Sequence, residues 1–303
     1  MTAGIDVRAL ARQIREARGV GHKRDIDAVV RRLGLGSRHA AVPVGDDCAA
    51  IPDGDGHLLL AIEGFLDSFV ADDPYFAGYC GIMVNLSDVA AMGGRPLALV
   101  DALWAREAGA ADPILAGLSD AAALYGVPVV GGHTNTRAAA SNLAVAVLGR
   151  AGPRLLDAST GAPGARLRGD LALLPGLAED GLAGAAKDIS MAGIVGTALM
   201  LLECSGVGGV IDLDAIPRPD HVPLARWLTA FPSFGYLVSV RPDRTAAVTA
   251  RFAERGIAAA RIGGLDASRA VRVRDGTGAE AVVWDFAAGP LIGCGRDGPE
   301  ATP

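Results

Sequence analysis

Cysteine is sparse in this chain. Its four cysteines, Cys48, Cys80, Cys204 and Cys294, lie far apart among 303 residues and form no CxxC pair. Neither a zinc ribbon nor a disulfide framework is expected, and a reducing cytoplasm fits best. Charge of positive sign is also short. The formal net charge is −6, charged residues make up 20% of the chain, and no basic stripe is available to neutralise nucleic-acid phosphates. Long apolar runs are missing as well. The most apolar stretches, Leu97–Leu103 and Ile194–Leu202, are too short or too interrupted by glycine to span a bilayer core of about 30 Å, so no membrane segment is expected. Met1–Leu35 alternates charged and apolar residues, unlike a secretory signal peptide. Several catalytic signatures are absent too. There is no G-x-x-x-x-G-K-[ST], no G-x-G-x-x-G opening a helix after a strand, and no G-x-S-x-G. The five histidines form no HExxH pair. A P-loop or Rossmann nucleotide enzyme, a serine hydrolase and a zinc protease are all disfavoured.

What is present is apolar bulk. Hydrophobic residues make up 50% of the chain, and its length predicts two domains of about 150 residues each. Val7–Leu33 has helical apolar spacing with a break at Gly19-Val20-Gly21, which predicts two helices. Cys48–Ile51 and His57–Ile62 read as strands joined at Pro52-Asp53-Gly54-Asp55-Gly56, a hairpin turn. Asp73-Pro74 is a helix start and Gly93-Gly94 a stop, giving a helix that runs to about Met92. Pro96–Leu103 follows as a strand, Pro113–Tyr125 as a helix, Val127–Val130 as a buried strand and Asn142–Gly149 as another strand. The polar, Gly- and Pro-containing segment 151–169 predicts a linker between a first domain, residues 1–150 with a helical leader over 1–35, and a second, residues 170–303. In the second half Leu171–Leu174, Val210–Leu213, Phe234–Val240, Ala258–Ile262, Ala270–Val273 and Ala281–Trp284 read as strands. Ile189–Cys204 and Arg244–Arg255 read as helices, so the whole is an α/β protein.

Acidic residues cluster where strands end or where they interrupt an apolar helix: Asp46-Asp47, Glu63, and Asp88 within Asn85-Leu86-Ser87-Asp88. Asp88 is the costly one. Val84, Leu86, Val89, Ala90 and Met92 leave it little polar face, and a buried carboxylate needs a cation or several donors. Mg²⁺, which takes oxygen ligands and commonly one or two carboxylates plus substrate phosphates, suits such a set. Taken singly, each residue also has a structural explanation: an Asx turn for Asp46 and Asp47, a solvated strand end for Glu63, a local cap for Asp88. In Val129-Val130-Gly131-Gly132-His133-Thr134-Asn135 an apolar strand runs into a Gly pair and three polar side chains, a place where α/β sheets commonly bind ligands, although a plain tight turn has the same composition.

Gly45-Asp46-Asp47-Cys48-Ala49-Ala50 resembles the GDDAA motif of the AIR-synthase (PurM-like) superfamily. The run from Asn85 to Pro96 resembles that superfamily's longer N-[LA]-SD-x-x-A-M-G-[GA]-x-P motif. Asp72-Asp73-Pro74-Tyr75 and Gly131-Gly132-His133-Thr134 look like selenophosphate synthetase. Asp188-Ile189-Ser190, Gly193 and Ser205–Asp212 are similar to a segment of thiamine-monophosphate kinase. The resemblance implies a two-domain α/β architecture whose N-terminal domain forms a β-barrel across a homodimer. It also implies ATP held through Mg²⁺. Carried over by position, Asp46, Asp47, Glu63, Asp88 and Asp188 would bind metal, and Asn85, Gly131, Gly132 and Thr134 would line the nucleotide. His133 or Lys23 could contact phosphate or substrate.

The departures are specific. The N-terminal segment has Lys23 but lacks the cysteine of selenophosphate synthetases. Met191 stands where the kinases have a second aspartate, and Phe231–Tyr236 replaces another kinase segment. His133 stands where the kinases have aspartate after the Gly pair. The expectation is ATP- and Mg²⁺-dependent phosphoryl transfer to, or activation of, a small molecule. A nucleotide-binding regulatory member without turnover and a cyclo-ligase like AIR synthase are the alternatives.

Overall fold

A computed structural model describes residues 6–34, 45–153, 170–231 and 235–293, and these group into two compact units. Most of the predicted linker, the segment Pro232-Ser233-Phe234 and Cys294 lie outside the described residues.

The first unit, residues 47–188 with 238–240, is built on a five-stranded sheet of order β1-β2-β5-β3-β4. The strands are β1 (Ala49–Asp53), β2 (Gly56–Gly64), β3 (Arg95–Trp104), β4 (Val129–Asn135) and β5 (Asn142–Ala151). β1 and β2 form the expected antiparallel hairpin, with Gly54 at φ +64° in the turn. A short helix α1 (Asp67–Asp72) leads into α2 (Pro74–Ala91). The start of α2 is the predicted one: the Asp73 carboxylate accepts the Phe76 N–H at 3.1 Å, and Pro74 occupies the first turn. Gly93, at φ +72°, follows its end. α2 is buried over most of its surface, packed on the sheet and against α3 (Ala108–Tyr125). Helix α3 begins five residues before the predicted Pro113, which sits in the second turn where its missing N–H costs one bond. β4 departs more. It is an exposed edge strand rather than a buried one, and it runs on through Gly131, Gly132, His133 and Thr134, which form no turn. Leu173–Glu179 is helix α4, not the strand expected from Leu171, because a short apolar run carries no period that separates the two. Strand β6 (Ala185–Asp188) pairs with β8 (Tyr236–Ser239) and packs on α2.

The second unit joins residues 1–46 to 189–237 and 241–303. Its sheet has the order β11-β10-β7-β9: β11 (Glu280–Asp285), β10 (Ala270–Arg274), β7 (Gly208–Asp212) and β9 (Gly263–Asp266). Residues 257–262 have no regular structure, so the strand expected at Ala258–Ile262 falls instead on Gly263–Asp266, where β9 pairs with β7. The N-terminal helices, α5 (Val7–Glu16) and α6 (Arg18–Leu33), belong here, α5 lying against β10 and β11. They meet at Ala17, not at the glycines. Gly19 has another role: a Cβ there would come within 2.1 Å of the Met191 carbonyl oxygen, so glycine allows the helix to approach that backbone. Helix α7 (Gly193–Ser205) ends at Gly206, φ +68°, as expected from Ser205-Gly206.

Candidate metal and nucleotide site

Helix α2 is apolar nearly all round, yet carries Asn85 and Asp88 one turn apart on one face, both buried. Asn85 donates its Nδ2 to the Gly81 carbonyl at 2.8 Å, while its Oδ1 is buried without a hydrogen-bond partner among the described residues. Asp88 is 5% exposed, and its Oδ2 likewise has no partner. Two orphaned acceptors on one buried face call for a cation or a donor.

Around Asp88 the chain gathers more negative charge. Oxygens of Asp47, Asp88 and Asp188 lie within 4.8 Å of one another. Asp47 precedes β1 and Asp188 ends β6. Burial pushes the Asp88 carboxyl well above the usual carboxylate range. The charges of Asp188, Glu63 and Asp47 push it further, while Lys187 opposes them. Lys187, itself buried, forms an ion pair with Asp47 Oδ1, and the Asp188 N–H reaches Asp47 Oδ2 at 3.4 Å. Oxygen donors with no sulfur or imidazole among them fit Mg²⁺ chemistry.

Sheet register explains how Glu63 reaches this cluster. Glu63 pairs with Val145, Val145 with Asp101 and Asp101 with Gly132, so these four share one face. That face carries α2, since a Cβ on Gly81 would touch the Val145 side chain at 2.9 Å. Asp101 is a carboxylate that the sequence reading missed. Its Oδ2 is buried without a hydrogen bond, and burial raises its pKa. A Cβ on Gly132 would come within 2.4 Å of Asp101 Oδ1, so this glycine makes room for a carboxylate beside an edge strand.

The other candidates are placed elsewhere. His133 pairs with Ala102, one residue on from the Asp101 row and hence on the opposite face; its ring lies 6.2 Å from that of Trp104. Gly131 and Thr134 lie along the exposed β4. Asp46 is not one of the three converging carboxylates, and Lys23 sits half-buried on α6 in the second unit. In that unit a cleft of about 610 Å³ is lined by Arg12, Gln13, Arg18 and Met191 among others, with no comparable carboxylate cluster among the described residues. Burial pushes the Cys80 thiol up to about 12, with Asp73 adding to the effect, so it is protonated at neutral pH and no nucleophile. No helix among the described residues is long and apolar enough to cross a membrane.

Comparison with known proteins agrees with this layout. The family described as AIR synthase related protein, N-terminal domain, matches residues 45–151, and its C-terminal counterpart matches residues 127–276. The uncharacterised protein sll0787 of Synechocystis is 42% identical over 93% of this chain and 96% of its own length. A thiamine-monophosphate kinase of Methanocaldococcus jannaschii is 29% identical over 36% of this chain and 37% of its own. Among solved structures, AaThiL complexed with AMPPCP and TMP superposes with a TM-score of 0.64 at 20% identity, covering 82% of this chain and 91% of that one. With both domain families matched in order and a relative aligned over nearly its full length, the chain belongs to the AIR synthase related, PurM-like superfamily.

Proposed function

We propose that this protein is an ATP- and Mg²⁺-dependent enzyme that transfers the γ-phosphoryl group to a small molecule or uses it to activate one. The observation that carries this reading is the Asp88 Oδ2 atom, buried and unpartnered beside Asp47 and Asp188. The kinase relative and the AMPPCP-bound neighbour support nucleotide use. Asp88 and Asp188 would hold the cation, with Asp47 and Glu63 adding negative charge. A bound Mg²⁺ would neutralise phosphate charge and polarise the phosphoryl oxygens. The chain's own contribution is positioning. α2 fixes Asn85 and Asp88 on a rigid buried face, and the Asn85 Oδ1 offers a further acceptor to the cation or its ligands. No general base is assigned.

The same sheet supports a homodimer. Leu60 and Ile62 of β2, Leu148 of β5 and Val100 of β3 are exposed on the face away from α2. Such a patch fits the barrel across two copies that the superfamily resemblance implies.

A second reading, nucleotide binding without turnover, is favoured by Met191. This residue stands where kinases have an aspartate, and helix α6 lies against its carbonyl at Gly19. ADP formation from ATP with Mg²⁺ across a panel of small phosphorylated acceptors separates the two. Turnover is expected for the wild type and a drop of at least about 100-fold for Asp88→Asn, on the scale seen when groups supporting a metal are lost. Mg²⁺-dependent ATP binding with no ADP formed on any acceptor would favour the second reading. Binding unchanged by Asp88→Asn would remove the metal role altogether.

A further inference from the structure

Lys187 is conspicuous beside this cluster because its charge has the wrong sign for a metal ligand. Its side chain is 7% exposed, its partner Asp47 4%, and the two form an ion pair. Asp47 is therefore engaged at both oxygens, Oδ1 by the ammonium and Oδ2 by the Asp188 N–H, whereas Asp88 Oδ2 has no hydrogen bond. The three converging carboxylates and one ammonium leave a formal charge of −2, which one divalent cation cancels, the exposed Glu63 lying outside the triad. A second dication would put an excess of positive charge into a partly buried site, against an ammonium that is itself buried.

We propose that Lys187 holds with its ammonium the place a second divalent cation would take beside Asp47, so that the cluster binds one divalent cation per chain on its Asp88 and Asp188 side. This rests on the cation-binding reading of the preceding section. Lys187 is a positioning residue here: it sets the number of ions and directs the ion toward Asp88, without touching the reacting groups.

Titration of the full chain with Mn²⁺ in the absence of nucleotide, following the EPR signal of the free ion, tests this. Wild type is expected to take up one Mn²⁺ per chain. Lys187→Met, which removes the charge and keeps the length, is expected to take up two and to bind the first at least ten-fold more tightly. Lys187→Arg should return to one. Should Lys187→Met fail to fold by circular dichroism, the double variant Lys187→Met with Asp47→Asn decides, because it removes the buried pair together. It is expected to keep a single Mn²⁺ within about three-fold of the wild-type affinity, as buried pairs often tolerate joint replacement. Two ions in the wild type, an unchanged count and affinity in Lys187→Met, or loss of the ion from the double variant would each overturn the proposal. Absence of any Mn²⁺ uptake by the wild type would instead overturn the metal reading itself.

Discussion

Glu203 shows how a single buried carboxylate can be satisfied by the chain's own amides, as Asp88 Oδ2 is not. It sits near the end of α7, 3% exposed, and accepts the backbone N–H groups of Leu291 and Ile292 at 2.9 and 2.8 Å, with Gly293 at 3.3 Å. Its lone pairs are used, and three amides that would otherwise be orphaned are satisfied. Glu203→Ala leaves those amides without an acceptor and is expected to lower unfolding free energy by about 3 kcal/mol in urea denaturation. A change below about 1 kcal/mol would show that water replaces the carboxylate. Both residues interrupt apolar helices, and sequence alone does not tell a carboxylate met by amide donors from one that is not. Asp88 was legible because its neighbours left it no polar face and its motif is long. Lys187 was not, since a lone lysine in Ala185-Ala186-Lys187-Asp188 carries no motif or period that marks it as buried. Asp101 was hidden for a different reason. Its companion signal, Gly132, reads as turn chemistry, whereas the glycine clears space for the carboxylate.

The position of the site depends on how closely α2 and α3 can approach. A Cβ on Gly78 would come within 2.1 Å of the Ile114 carbonyl oxygen, and one on Gly117 within 2.0 Å of the Tyr75 carbonyl oxygen. Each helix thus presents a glycine to the other's backbone, and backbone cannot swing aside as a side chain can. Gly117→Ala gains helix propensity of about 1 kcal/mol. The forced separation of the helices is nevertheless expected to outweigh it, for a net loss of about 1–3 kcal/mol by chemical denaturation. Gly109→Ala, at the open start of α3 with nothing within 4 Å of its Cβ, serves as the control and should be neutral or slightly stabilising. At this scale the sequence was most readable where an element carries its own punctuation. Asp73-Pro74 and Gly93 bounded α2, and Gly54 closed the first hairpin. It was least readable where tertiary contact sets the outcome. Gly19-Val20-Gly21 in α6 looked like a break, but Gly19 serves an approach to Met191, and Leu171–Leu174 was too short for its period to separate strand from helix.

For the molecule as a whole, the exposed sheet face of the first unit carries the clearest expectation. Ile62 is 69% exposed, and its row continues through Ala146 to Val100. Ile62→Lys should leave the far-UV spectrum unchanged, since the side chain faces away from α2, and convert a dimer to a monomer in analytical ultracentrifugation. A wild type that sediments as a monomer would remove the dimer reading. The superfamily, the α/β class and the acidic cluster were all legible from linked motifs, because their spacing along the chain reflects positions on a shared scaffold. The face on which His133 lies was not, because it depends on the pairing of β4 with β3, which the order of residues alone does not reveal.

The Glu203 contacts also close a long loop, 88 residues separating that carboxylate from Leu291. In secreted domains a disulfide commonly performs this kind of long-range tethering. Here the fastening is a carboxylate on amide hydrogens. A reductant such as dithiothreitol has no bond to cut in it, so this staple holds equally in reducing and oxidising surroundings.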